Sequence, residues 1–193
     1  MTHRDTASPP RSALHRLARA GLVAVALPVA LALAACDTGD GDDAEVPELS
    51  AAEEAHLETF DDLDFRVFTN QVWEDLDHSH AEDVVVHWPD GHITEGIDVH
   101  VEDLKAVFVY APDTRIQEHP IRIASGEMTA VTGVLEGTFT EPMPVGDDQV
   151  IEPTGKAFVI PMATVARWEN GTMAEEWLYW DNHLFLTQLG LAQ

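Results

Sequence analysis

A single cysteine, Cys36, occurs in 193 residues. No internal disulfide can form, and no thiol beyond the N-terminal segment is available as a nucleophile. Basic residues are also few: 10 Lys and Arg stand against 35 Asp and Glu, a net charge of −25 with histidines neutral. So acidic a surface repels phosphate backbones and anionic headgroups, which argues against a nucleic-acid partner and against electrostatic attachment to a membrane. There is no Gly-x-x-x-x-Gly-Lys loop, no Gly-x-Gly-x-x-Gly after a strand and no Gly-x-Ser-x-Gly elbow. Nothing points to a nucleotide, a dinucleotide or a serine hydrolase, and no cofactor is expected.

The longest apolar run, residues 21–35, holds 15 residues where a membrane-spanning helix needs about 20. Arg4, Arg11, Arg16 and Arg19 precede it, and the small residues Ala34 and Ala35 end it, which is the pattern of an export signal. Leu33-Ala34-Ala35-Cys36 resembles the bacterial lipobox, in which the cysteine becomes the lipidated N-terminus. Residues 1–35 are therefore expected to be a lipoprotein signal peptide. Cys36 would hold the chain on the outer face of the cytoplasmic membrane through its lipid alone; an ordinary secretory signal is the alternative. Four of the ten basic residues lie in this leader, but only one acidic residue, Asp5, so the remaining 158 residues carry a net charge of −28. Residues 36–48, rich in Asp and Gly, predict a flexible tether. Residues 49–193 make one domain, long enough to bury a core without a disulfide.

Helical signals come first. Ser50-Ala51-Ala52-Glu53 has the spacing of a capping box, and Leu57, Phe60, Leu63, Val67, Phe68, Val72 and Leu76 follow at near-helical spacing, with a break expected near Asn70. Val84 to Trp88 predicts a strand stopped by Pro89-Asp90-Gly91, and Ile97 to Tyr110 a second helix. From Thr114 the chain turns to long β-branched stretches: Arg115 to Ala124, then Glu127 to Thr140, then Lys156 to Arg167 and Thr172 to Asp181 joined at Asn170-Gly171, a two-residue hairpin turn. Helices followed by antiparallel strands make an α+β domain.

The last strand ends in Glu175-Glu176-Trp177-Leu178-Tyr179-Trp180-Asp181. Alternation puts Glu175, Trp177, Tyr179 and Asp181 on one face and Glu176, Leu178 and Trp180 on the other. Asp181 beside two aromatic rings fits a desolvated proton-transfer group; it equally fits a solvated strand end or the cap of the next helix. His87 is placed either to polarise a substrate oxygen or to bond a backbone group under the turn. His119, before Pro120, faces either the pocket or the opposite side of the sheet. His78, His80, His87, His92 and His100 crowd 23 residues, yet their gaps follow no known ligand spacing, so no metal is expected.

The order of Pro153-Thr154-Gly155-Lys156, the strand ending Ala166-Arg167-Trp168-Glu169-Asn170-Gly171, then Glu175-Glu176-Trp177, Asp181 and Gln188-Leu189-Gly190 resembles the SnoaL-like polyketide cyclase family of the nuclear-transport-factor-2-like superfamily. His87-Trp88-Pro89-Asp90-Gly91, Glu95-Gly96 and Gly137-Thr138-Phe139-Thr140 fall upstream in the matching order. The resemblance spans about residues 55–190, and the Pro-containing acidic loop Glu141 to Glu152 departs from it. It implies a cone-shaped, curved antiparallel sheet packed on N-terminal helices around a single pocket. It also implies that Asp181 is the acid/base group; on that reading His87 is the candidate donor to the developing enolate, Trp177 and Tyr179 would stack on the substrate, and His119 is a further pocket candidate. The expected ligand is a hydrophobic, carbonyl-containing small molecule undergoing aldol-type cyclisation or isomerisation. A non-catalytic ligand-binding lipoprotein is the alternative, and a homodimer scaffold formed on the sheet's outer face is a third.

Overall fold

The structure, a computed structural model, describes residues 48–146 and 148–192. The expected signal peptide, Cys36 and nearly all of the tether lie outside the described residues. Among the described residues no helix is long and apolar enough to cross a membrane.

The capping box forms as its spacing requires: Ser50 Oγ accepts from the Glu53 amide while the Glu53 carboxylate accepts from the Ser50 amide at 2.7 Å. Helix α1 (Ala51–Asp62) runs straight into a wide π turn at Leu63–Phe68, where Val72 N–H bonds Val67 C=O five residues back. The chain then breaks near Asn70, with Gln71 at φ 57, and a short 3-10 turn at Trp73–His78 leads into β1 (His80–His87). Strand β2 (Ile93–Glu95) and helix α2 (Ile97–Tyr110) follow.

The stretch expected as one strand from Arg115 to Ala124 is two: β3 (Arg115–Ile116) and β4 (Ile121–Ser125), separated at His119 and Pro120. Proline lacks the N–H a ladder needs. Both pieces lie along β5 (Met128–Thr138). A small ribbon, β6 (Met143–Pro144) with β7 (Val150–Ile151), occupies the acidic loop. Strands β8 (Ala157–Glu169) and β9 (Thr172–Trp180) form the predicted hairpin, turning at Asn170 (φ 52) and Gly171 (φ 89), and α3 (Asn182–Leu189) closes the chain.

The main sheet has seven strands in the order β2-β1-β9-β8-β5-β3, with β4 also on β5. It is antiparallel except where β1 meets β9, a parallel pair that registers Val86 on Glu176 and His87 on Trp177. This joins the first strand to the last, as the intervening helix α2 allows. The α+β architecture with a curved sheet and N-terminal helices is therefore as expected, one parallel pair excepted. Leu57, Phe60, Leu63 and Val67 pack on Val131, Ala166, Trp168 and Met173. Trp168 is fully buried, donates from Nε1 to Thr129 Oγ1 at 2.9 Å and stacks on His56. At the other end Phe139, Phe158 and Ile160 pack with Leu189 of α3. Each such buried side chain contributes about 1.5–3 kcal/mol.

Gly137 tests how tightly this second cluster closes. A Cβ there would stand 2.5 Å from Phe158 Cζ and 2.9 Å from Thr114 Oγ1, whereas at Gly133 the nearest neighbour would be 3.4 Å away. Gly137→Ala should lose about 1–3 kcal/mol in urea denaturation, and Gly133→Ala clearly less; equal losses would show that Phe158 is free to swing away.

Candidate functional site

Between the helices and the sheet lies a cavity of about 240 Å³. Its wall is mostly apolar: Phe60, Leu63 and Phe68 from the first helical segment, Leu104 and Val107 from α2, Ile160 and Met162 from β8, Leu178 and Trp180 from β9. Two sets of polar groups break it.

The first set is built on the π turn. Asp64 lines the cavity, and its Oδ2 lies 2.8 Å from Nε2 of His119; Asp61 Oδ1 lies 2.7 Å from the same ring's Nδ1. Arg122 then pairs with Asp61 Oδ2 at 3.0 Å. The His119 ring packs on Phe60 and Phe65, with its side chain only 1% exposed. Desolvation raises the Asp64 carboxyl above its ordinary value, outweighing the pull of His119. Burial pulls the His119 imidazole down, but hydrogen bonds and charge from Asp64 and Asp61 outweigh it and hold the ring above 6.5. Both groups thus hold a proton more tightly than they would in water. When the ring is doubly protonated it donates through both nitrogens; when Asp64 takes the proton, its hydroxyl donates to Nε2.

The second set comes from three separate elements. His80 opens β1, His100 sits on the inner side of α2, and Glu176 points inward from β9; all three are buried and line the cavity. His100 Nε2 is 3.1 Å, and His80 Nε2 3.9 Å, from the carboxylate. Burial alone would raise Glu176, but the neighbouring His100 and His80 imidazoles hold it well below the usual carboxylate range. Asp103, one turn from His100, adds a buried Oδ2 with no hydrogen-bond partner among the described residues. Tyr110, pushed up to about 12 by burial, is a neutral hydroxyl on the same wall.

The model of the SnoaL-like polyketide cyclases matches residues 58–189. The chain belongs to that family. Among solved structures, a Jannaschia protein assigned to the SnoaL-like polyketide cyclases is 17% identical, with TM-score 0.66, covering 76% of this chain and 99% of that one. IdmH from Streptomyces antibioticus, assigned as a polyketide cyclase, is 23% identical, with TM-score 0.60, covering 70% and 98%. A Catenulispora acidiphila protein with a ketosteroid isomerase-like fold, solved with trimethylamine, is 15% identical with TM-score 0.55, covering 70% and 92%. At these identities the likeness shows the fold. No curated protein matches significantly.

In this SnoaL-like chain, the residues expected to line the pocket lie elsewhere, with one in part. Trp177, Tyr179 and Asp181 come together with His87, but in a second, more open groove beside the Pro89 turn. The reason is register: Val86, facing the helices, pairs with Glu176, so Glu176, Leu178 and Trp180 turn inward and their odd-numbered neighbours turn out. Asp181 is exposed and caps α3, its Oδ1 accepting from Leu184 N–H at 2.9 Å. His87 Nε2 bonds Glu175 Oε1 at 2.8 Å and stacks on Trp177. His119 reaches the cavity only through Asp64.

The inward groups carried a signal that alternation alone did not rank. Asp64 falls inside the apolar stripe Phe60, Leu63, Val67, Phe68, and His100 and Asp103 fall inside the stripe continued by Leu104 and Val107. A charged residue on the buried side of a helix calls for a reason. If Asp181 acts as a cap, Asp181→Ala should cost about 1 kcal/mol in chemical denaturation and Asp181→Asn much less, since an amide oxygen still accepts from Leu184. Equal losses in both variants would refute the cap.

Proposed function

We propose that the protein binds a small hydrophobic molecule bearing a carbonyl in this cavity and transfers a proton on it, as an enolising step of aldol-type cyclisation or isomerisation. Asp64, in its ionised form, is the base that takes the proton from the carbon beside the carbonyl. His119 shares that proton, held in orientation by Asp61 and Arg122. The neutral Tyr110 hydroxyl is a donor for the oxygen on which charge develops. The observation that carries this reading is a carboxyl of raised proton affinity set in an apolar cavity and backed by a histidine. Membership of the cyclase family and the cyclase assignments of IdmH and the Jannaschia protein support the reaction class. The leader and Cys36 support placing this activity on a lipid anchor outside the cytoplasmic membrane. Asp181 is exposed, caps α3 and lines an open groove, so the proton-transfer role is assigned to Asp64 on the cavity wall instead.

A direct test follows deuterium exchange at the α-carbon of 2-tetralone by proton NMR, with binding followed separately through tryptophan fluorescence. Asp64→Asn should cut the catalysed exchange about 10²–10⁴-fold while binding persists; Asp181→Asn should leave exchange intact. Binding without any Asp64-dependent exchange would make the protein a carrier of its ligand.

The pH dependence has a definite sign. Asp64 and His119 both hold protons more tightly in the folded chain than their ordinary values of 3.8 and 6.5. Their stabilisation is complete below those values and is lost as pH rises through the folded ones. Exchange should rise over the same window as Asp64 gives up its proton. Melting curves between pH 5 and 9 should slope downward in the wild type, and His119→Gln should flatten them; an unchanged slope in the variant would remove this pair as the cause.

A further inference from the structure

We infer that His80, His100 and Glu176 form a three-ligand site for a divalent transition-metal ion, with zinc the best match, on the wall of the cavity. Two imidazoles and one carboxylate are a donor set that zinc uses in catalytic sites, where a fourth position stays open to water or substrate. The donor atoms of the three side chains all lie within 4.8 Å of one another. Around a tetrahedral ion with bonds of about 2.0–2.2 Å, adjacent ligand atoms stand roughly 3.3–3.5 Å apart. The 3.1 Å from His100 Nε2 to Oε1 and the 3.9 Å from His80 Nε2 to Oε2 bracket that span.

Hydrogen bonding leaves donor atoms of this cluster available to an ion. Ser79 Oγ donates to Leu76 C=O at 3.0 Å, so toward His80 Nδ1, 2.9 Å away, that oxygen can only accept. In that arrangement the His80 proton is on Nδ1, and Nε2 is available to a metal ion. Among the described residues neither His80 Nε2 nor Glu176 Oε1 makes a well-formed hydrogen bond, although His100 Nε2 lies 3.1 Å from Oε1, and the side chains of His80 and Glu176 are 1% and 4% exposed. Fixing an imidazole tautomer through its remote nitrogen is also how metal-bound histidines are commonly held. The three residues sit on β1, α2 and β9, so the site is braced by three packed elements, and its open side faces the ligand cavity.

The test uses the full chain stripped with EDTA. Zinc added and then separated by gel filtration should remain at one ion per chain, and cobalt(II) added instead should give the strong visible bands of a low-coordinate site. Glu176→Gln and His80→Gln should each weaken zinc binding at least 100-fold, and Ser79→Ala about 10–100-fold. Substitution of the exposed His78 and His92 by alanine should change nothing. Failure of the wild-type protein to retain zinc or to give the cobalt bands would overturn the site without any variant having to fold. So would zinc binding that survives in Glu176→Gln or disappears with the surface histidines. Since metal is read directly and ketone exchange is not used, this result stands or falls separately from the role of Asp64.

Discussion

A carboxylate with almost no access to water must be balanced where it lies, and Glu176 is balanced by His80 and His100. Burying a lone carboxylate costs many kcal/mol, and taking away one partner of a buried ion pair typically costs 3–5 kcal/mol. The three side chains arrive from the first strand, the second helix and the last strand, so the match holds only if those elements meet in one register. The parallel pairing of β1 with β9 sets it: Val86 opposite Glu176 turns Glu176 toward α2, where His100 waits. Shift that register by one residue and the carboxylate goes to the outer face, with Trp177 and its indole turned inward. Chain-terminal and chain-initial segments are thus tied together by a charge constraint as much as by apolar contact.

The same low-polarity enclosure gives the cavity its chemistry. Asp64 and Glu176 are both carboxyls on one apolar wall, yet they are driven in opposite directions. Glu176 stands near two imidazoles that favour its ionised form; Asp64 has one, and burial prevails. Two acids held at different proton affinities within one cavity are a recurring basis for dividing acid and base roles. The π turn contributes here as geometry: it widens the helix just where Asp61 and Asp64 must both reach His119, and such local widenings concentrate at functional sites.

Much of the frame was readable from residue order. The capping box at Ser50, the helix from Ile97 to Tyr110 and the hairpin at Asn170-Gly171 all rest on local chemistry, and local chemistry is what a sequence displays directly. The family signal was legible for the same reason, being an order of short motifs. The site was not. Alternation divides Glu175 to Asp181 correctly into two faces, but which face is inward depends on pairing with a strand ninety residues earlier, and the more conspicuous Trp-Tyr-Asp face is the outer one. The histidine cluster misled in the opposite way. Neighbours in sequence such as His78, His87 and His92 diverge, while His80 and His100 meet a glutamate from the far end of the chain.

The interruption at His119 and Pro120 does more than release a ring to fold under α1. Without it, residues 115–125 would form a long outer strand with free amides and carbonyls, and Ile121 and Ile123 are already more than half exposed. A continuous edge of that kind is a template on which another chain can add. Split into a two-residue and a five-residue piece, with a proline that offers no donor and Arg115 and Arg122 alongside, the edge is a poor seed for aggregation. The break that brings His119 to Asp61 and Asp64 therefore also leaves this edge of the sheet a poor template for a second copy of the chain.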